Sequence, residues 1–324
     1  MDDRAFDDIV EILLGRDEFY VSSHVNPDGD SLGSLTGLAI SLHAAGKKVL
    51  AALPDDGPLP PQYTFLPGLA FVMPVAEMPD ACSTFIALDC GKADRLENLQ
   101  PLALGCDELV NIDHHVDNTR FGAVNLIESS FSSTSEIVYA LLLRAGMPIT
   151  PDVATSLYAG LMTDTGRFMH DNTNSRTFRA ATELVALGAD PHYVASQVYE
   201  NQSIGYVRLM GMALARAVLD EDIALISSCI SQEDLASTGA SIQETEDLID
   251  RLRVVGAARI AVLLKELRDG RTRASLRSSD GVDIAWLARK HGGGGHPKAA
   301  GFTSETGLQE TLEVIRSELR DVDE

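Results

Sequence analysis

No stretch of this sequence reaches the about 18 consecutive apolar residues that a membrane-spanning helix requires, so no membrane span is expected. Cysteine is scarce: Cys82, Cys90, Cys106 and Cys229 form no CxxC pair, and reduced thiols are expected. The N-terminal "MDDRAFDDIVEILLGRD" lacks the basic start and apolar block of a signal peptide, which favours a cytoplasmic location. Positive charge is short as well. The chain carries 26 Lys/Arg against 48 Asp/Glu, a net charge of −22, which argues against a general duplex binder with a broad basic face. Internal repeats and low-complexity tracts are missing too.

What remains is the composition of a soluble globular protein, 324 residues long and 45% hydrophobic, enough for two domains. The first part alternates strands and helices. "EFYVSS", "KKVLAAL", "STFIALDC" and "ELVNIDHH" are nearly continuous apolar runs, as in a parallel sheet buried on both faces. A helix is expected from Ser31, capped by Asp30. Further helices open at the Ser133–Glu136 capping box and at Pro151. This predicts an α/β fold, a doubly wound and mostly parallel sheet over about residues 1–200. Residues 201–220 read as a helical connector, and 221–324 as a smaller α/β domain. In the latter, "SIQETEDLIDRLRVV" reads as one helix, Asp269-Gly270 as a hairpin turn, and "HGGGGHPKAAG" as a glycine-rich loop.

The ends of the first-domain strands are crowded with ionisable groups. His24, Asp28 and Asp30 follow the first strand within seven residues, Asp89 follows "FIAL", Asp113-His114-His115 close "LVNI", and Asp164 lies in "GLMTDTGRF". In an open α/β sheet, ligands bind outside the carboxyl ends of the strands. So many carboxylates in one place would repel one another and raise their own pKa values unless cations compensate. Oxygen donors mixed with imidazole suit Mn²⁺ or a similar octahedral ion. The spacing from Asp28 to Asp30 lets one loop address two ions, with Asp89 as a bridge. Two ions about 3.5–4 Å apart would clamp phosphoryl oxygens for in-line attack, the chemistry of a phosphoester hydrolase.

Charge is uneven along the chain. Residues 251–298 hold eleven Lys/Arg and four Asp/Glu, a local +7. A solvated helix-and-hairpin face is one reading of this run and an anion site is the other. The glycines there, Gly294 and Gly295 among them, would let backbone N–H groups approach a ligand. His296 and Lys298 stand beside them, and Arg271, Arg273 and Arg277 alternate along the preceding strand.

"HVNPDGDSLGS", "ALDCG", "NIDHH" and "GLMTDTGRF" resemble, in order, the four motifs of the DHH phosphoesterase superfamily, and "GGGGHPKAAGF" resembles the glycine-rich motif of its companion domain, DHHA1. The compact two-domain length is similar to the nanoRNase/pAp-phosphatase (NrnA-like) branch. The resemblance implies two divalent ions, Mn²⁺ first, with Mg²⁺ or Co²⁺ as alternatives. One would be held by His24, Asp28 and Asp89, the other by Asp30, Asp89, His114 and Asp164. It implies that His115 meets the substrate phosphate and that Asp113 orients the histidine pair, with Asn26 a weaker phosphate contact. Arg277, Ser278, His296, Gly294, Gly295, Lys298 and, less so, Arg271 would bind substrate. The implied partners are short single-stranded RNA or DNA oligonucleotides, dinucleotides such as pApA and pGpG, and pAp, cleaved to 5′-mononucleotides or dephosphorylated at the 3′ position. Long duplex is not expected. A homodimer is compatible with this reading. Cyclic di-AMP phosphodiesterase activity and a non-catalytic nucleotide-binding module are the alternatives.

Overall fold

The computed structural model describes residues 3–279 and 281–322; Met1, Asp2, Asp280, Asp323 and Glu324, which fall in the domain ranges above, lie outside it. The chain divides into two compact units, 1–201 and 202–324.

The first unit is built on six parallel strands: β1 (Glu18–Ser22), β2 (Lys48–Ala52), β3 (Val72–Met73), β4 (Thr84–Leu88), β5 (Glu108–Asp113) and β6 (Val124–Ile127), in the order β3-β2-β1-β4-β5-β6. Successive side chains alternate between the faces. Phe19, Val21, Ile86, Leu88, Val110 and Ile112 bury against one layer. It contains α1 (Asp3–Gly15), α2 (Gly29–Ala44), α4 (Thr134–Ala145) and α5 (Pro151–Asp164), whereas α3 (Gln100–Gly105) is elsewhere. Tyr20, Phe85, Ala87 and Leu109 bury on the other face with Leu96, Leu99 and, from α3, Ala103. Both faces are therefore covered, which is why the strands read as apolar runs. β3 and β6 are too short to read from periodicity. α6 (Ser175–Ala186) and α7 (Pro191–Ala195) complete the unit.

Helices α2 and α5 cross at close range. A Cβ on Gly33 would stand 2.6 Å from the Ser156 carbonyl oxygen, and one on Gly160 would collide with the Ser135 hydroxyl and lie 2.9 Å from Asp30 Oδ1. The missing side chains bring the start of α2 beside the end of α5, with Asp30 on one and Asp164 on the other.

The second unit opens with α8 (Ile204–Ala215), the expected connector, whose Tyr206, Leu209 and Ala213 bury in this unit's own core. Its sheet runs β11-β12-β10-β9-β8-β7, antiparallel except for β8 with β9. The strands are β7 (Val218–Asp220), β8 (Leu225–Ile230), β9 (Ile260–Glu266), β10 (Thr272–Ser278), β11 (Gly294–His296) and β12 (Ala299–Ser304). The helices are α9 (Gln232–Thr238), α10 (Leu248–Leu252), α11 (Ala285–Lys290) and α12 (Leu308–Val322). Leu225, Val262, Leu264, Leu276 and Phe302 face α11 and α12, and Ile226, Ala261 and Leu263 face α8 and α10.

Two expectations change here. The helix expected over 241–255 is a 3₁₀ turn (Ile242–Thr245) followed by α10; between them Glu246 bonds Lys265 and Asp247 bonds Tyr206. The second half of the glycine-rich run is a strand. Gly294, Gly295 and His296 pair with Gly301, Ala300 and Ala299, because the chain turns back on itself directly. Gly295, at φ +129°, occupies a conformation that side chains resist. Among the described residues, no helix is long and apolar enough to cross a membrane.

Candidate metal centre

The strand order reverses between β1 and β4, so the chains leaving these two strands turn to opposite sides and open a crevice. The predicted ligands of the first unit gather there.

After β1 the chain passes through His24, buried, and Asn26, at φ +55°. Asp28, not Asp30, caps α2: its Oδ1 accepts from the amides of Asp30 (3.1 Å) and Ser31 (2.9 Å). The helix begins at Gly29, so Asp30 already lies in the first turn and its carboxylate points elsewhere. Its Oδ2 accepts from the Thr134 amide (2.6 Å) and its Oδ1 from the Ser135 amide (2.9 Å), the first unpaired amides of α4. Asp30 thus caps a neighbouring helix.

Asp89 follows β4 at φ +54°, a sparsely populated backbone conformation that clusters at functional sites. Its Oδ2 stands 3.5 Å from His24 Nε2, and its Oδ1 stands 3.6 Å from His114 Nε2. His24 Nε2 is 3.8 Å from Asp28 Oδ2, and His114 Nε2 is 3.7 Å from Asp164 Oδ2. Two groups result, His24–Asp28–Asp89 and Asp30–His114–Asp164, each with donor atoms within 4.8 Å of one another. The Asp89 carboxylate offers Oδ2 to the first group and turns Oδ1 toward His114 of the second.

A hydrogen-bonded layer supports the site. Asp113 Oδ1 accepts from the His114 amide (2.8 Å) and lies 2.7 Å from His115 Nδ1; its Oδ2 accepts from Asn118 Nδ2 at 2.6 Å. Asn118 also donates to Asn111 Oδ1 (2.9 Å) and the Cys90 carbonyl (3.1 Å). Asn172 Nδ2 reaches Asp164 Oδ2 at 3.3 Å, and Arg95 lies 2.9 Å from His24 Nδ1. None of Asn111, Asn118, Asn172, Arg95 and Thr134 is named from the sequence, apart from its context. Asn111 had a signal: an amide inside an apolar strand must find partners when buried.

The electrostatics are those of a site short of positive charge. Burial pushes the carboxyls of Asp30 and Asp164 well above the usual range, and neighbouring carboxylates, Asp89 first, push further. Burial would also raise Asp89, but the imidazoles of His24, His115 and His114 outweigh it and hold Asp89 low. Burial likewise opposes both charges of the Asp113–His115 pair. The contact between them prevails, holding Asp113 low and raising His115 to about 10. Crowded oxygen and imidazole donors of this kind fit hard or borderline divalent cations.

In the second unit the predicted residues separate. Directly paired residues share a face, so Arg277, Ala299 and His296 form one row, beside the row of Ser275, Gly301 and Gly294. Arg277 is half-buried, 3.4 Å from Asp250, and Arg273 on the same face is 3.8 Å from Glu246. The Ser278 hydroxyl is used internally, donating to the Val282 carbonyl at 2.6 Å. Lys298 sits between β11 and β12, where its carbonyl accepts from the Ser278 amide. Arg271 does not join the row. It precedes β10, in the hairpin turn, and pairs with Asp269 at 2.8 Å.

Residues 18–161 match the family model described as the DHH family, N-terminal domain, and residues 226–322 match the DHHA1 domain. A protein of Thermus thermophilus named bifunctional oligoribonuclease and PAP phosphatase NrnA is 31% identical over 307 residues, 93% of this chain and 90% of that protein. Its Bacillus subtilis namesake is 30% identical over 302 residues, 91% of each chain. The crystal structure of an exopolyphosphatase-related protein from Bacteroides fragilis matches with a TM-score of 0.89 over 98% of this chain and 96% of that one, at 24% identity, a likeness of fold. The chain therefore belongs to the DHH family, of the DHH–DHHA1 type, and is similar to the bifunctional oligoribonucleases and PAP phosphatases named NrnA.

Proposed function

We propose that this protein hydrolyses phosphoester bonds of very short oligonucleotides, releasing 5′-mononucleotides, and removes the 3′-phosphate of pAp. The observation that carries the reading is the split of the Asp89 carboxylate between two donor groups. His24, Asp28 and Asp89 Oδ2 would hold one divalent cation, and Asp30, His114, Asp164 and Asp89 Oδ1 a second. Mn²⁺ is the first choice for mixed carboxylate and imidazole donors, ahead of Mg²⁺ or Co²⁺. When bound, such a pair supplies an activated water and charge neutralisation on the phosphoryl group.

The protein's own groups do the rest. Asp113 fixes His115 through Nδ1 and favours its charged form, which makes His115 a hydrogen-bond donor or acid toward a phosphate oxygen. In the second unit, Arg277 and His296, in one row beside two glycines, bind an anionic or flat part of a nucleotide. Gly295 and Lys298 border that row, while Ser278 holds its hairpin in shape. A net charge of −22 with one small basic face suits a short substrate and not a long duplex. The names of the relatives at 30 and 31% identity support the same substrates.

The test is a time course with Mn²⁺ on 5′-labelled RNAs of two to five nucleotides, with pAp in parallel. Rapid conversion of the dinucleotide and release of phosphate from pAp are expected. Failure on pGpG, pApA and pAp alike would refute the proposal, and faster turnover of cyclic di-AMP than of pApA would redirect it to cyclic substrates.

A further inference from the structure

Thr134 opens α4 and is fully buried. A threonine hydroxyl inside a helix commonly returns to the carbonyl four residues back. Thr36, Thr155, Thr163, Thr165 and Thr182 all do so here, at 2.7–2.9 Å. As the first residue of its helix, Thr134 has no preceding turn to bond. Its hydroxyl donates instead to Asp89 Oδ1 at 3.0 Å, while its amide donates to Asp30 Oδ2 at 2.6 Å. One residue thus touches two carboxylates of the metal centre, including the one shared by both donor groups.

Its placement is itself fixed. Ser133 caps α4 by accepting from the Glu136 amide at 3.0 Å. Glu136 reaches back to the amide (2.8 Å) and hydroxyl (2.7 Å) of Ser132, and Arg176 holds Glu136 at 2.9 Å. The imidazoles around Asp89 stand at 3.5–3.6 Å, beyond good hydrogen-bond range, so the Thr134 hydroxyl makes the short directional contact to this carboxylate.

We propose that Thr134 is a positioning residue. Its hydroxyl fixes the rotation of the Asp89 carboxylate so that one oxygen serves each donor group, while its amide holds Asp30 in the second group. The inference rests on the two-cation reading above. Partners that orient ligating carboxylates change metal affinity by about 10- to 100-fold when removed.

Thr134→Val keeps the shape and the amide and removes only the hydroxyl; Thr134→Ser keeps the hydroxyl. The full-length protein and both variants are titrated with Mn²⁺, counting bound ions by calorimetry and following the spin-coupled signal of an ion pair by electron paramagnetic resonance. The unsubstituted protein should bind two coupled ions. T134V should bind the weaker ion about 10- to 100-fold less tightly and lose the coupled signal at the Mn²⁺ level that saturates the parent. T134S should stay within about twofold of the parent. If T134V folds poorly, Thr134→Ala carries the same prediction. T134V or T134A binding both ions as the parent does would overturn the inference and leave the two-cation reading standing. A parent protein that binds fewer than two ions would defeat that reading instead.

Discussion

The first unit gathers carboxylates and imidazoles at the ends of buried strands, whereas the second lays Arg273, Arg277 and His296 across a sheet face that α10 only partly covers. Asp89 has 2% of its side chain exposed and Arg277 has 27%. In the first unit like charges are forced together and are held by helix amides, histidines and amides of Asn. In the second, each arginine already has a carboxylate partner, Glu246 or Asp250, and keeps a route to solvent. A rigid, charge-deficient site suits chemistry. A half-open, already neutralised one suits binding that must also release.

Breaking the first site should have the largest effect. Asp89→Asn removes the shared charge, and turnover of a labelled dinucleotide should fall about 10³-fold or more, since metal stabilisation of a phosphoryl transition state amounts to several kcal/mol; near-parental kcat would contradict the comparison. Asn118→Ala takes away the donor to Asp113 Oδ2, and a loss of about 10- to 100-fold in metal affinity or kcat is expected, read by Mn²⁺ titration. Arg277→Ala should act on the other side of the contrast. It should raise KM about tenfold, as for one charge-assisted hydrogen bond, with kcat nearly unchanged. A kcat effect of the same size would mean that the second unit shares in the chemistry.

The smallest effect separates the units by acid response. The Arg216 hydrogen bond, at 2.8 Å, holds Asp234 below its ordinary value against the cost of burial. A lowered folded-state value stabilises above the unfolded pKa of about 4 and is lost as pH falls through the folded value. Asp234→Asn should therefore cost about 1 kcal/mol near pH 7 and less near pH 3, measured by denaturant midpoints.

The gathering of the predicted donors in the first unit was legible because each motif is contiguous and ends a strand that reads clearly, as with Asp89 after "FIAL". Its supports were not, since Thr134 and Asn118 acquire their roles only when helices and loops distant in sequence meet. The choice of helix cap failed for a local reason: "DGD" offers two caps, and the start at Gly29 selects Asp28. In the second unit, alternation correctly placed Arg273 and Arg277 on one face, while Arg271 fell outside the strand. Gly294 and Gly295, which look like part of a loop, became a strand because β12 returns to pair with them.

We propose that one carboxylate, Asp89, joins two cation sites. Anomalous diffraction at the manganese edge from Mn²⁺-loaded crystals tests it directly. Two peaks about 3.5–4 Å apart, one by His24 and Asp28 and one by Asp30, His114 and Asp164, with Asp89 between them, are the predicted result. A single peak, or two that do not share Asp89, would contradict it.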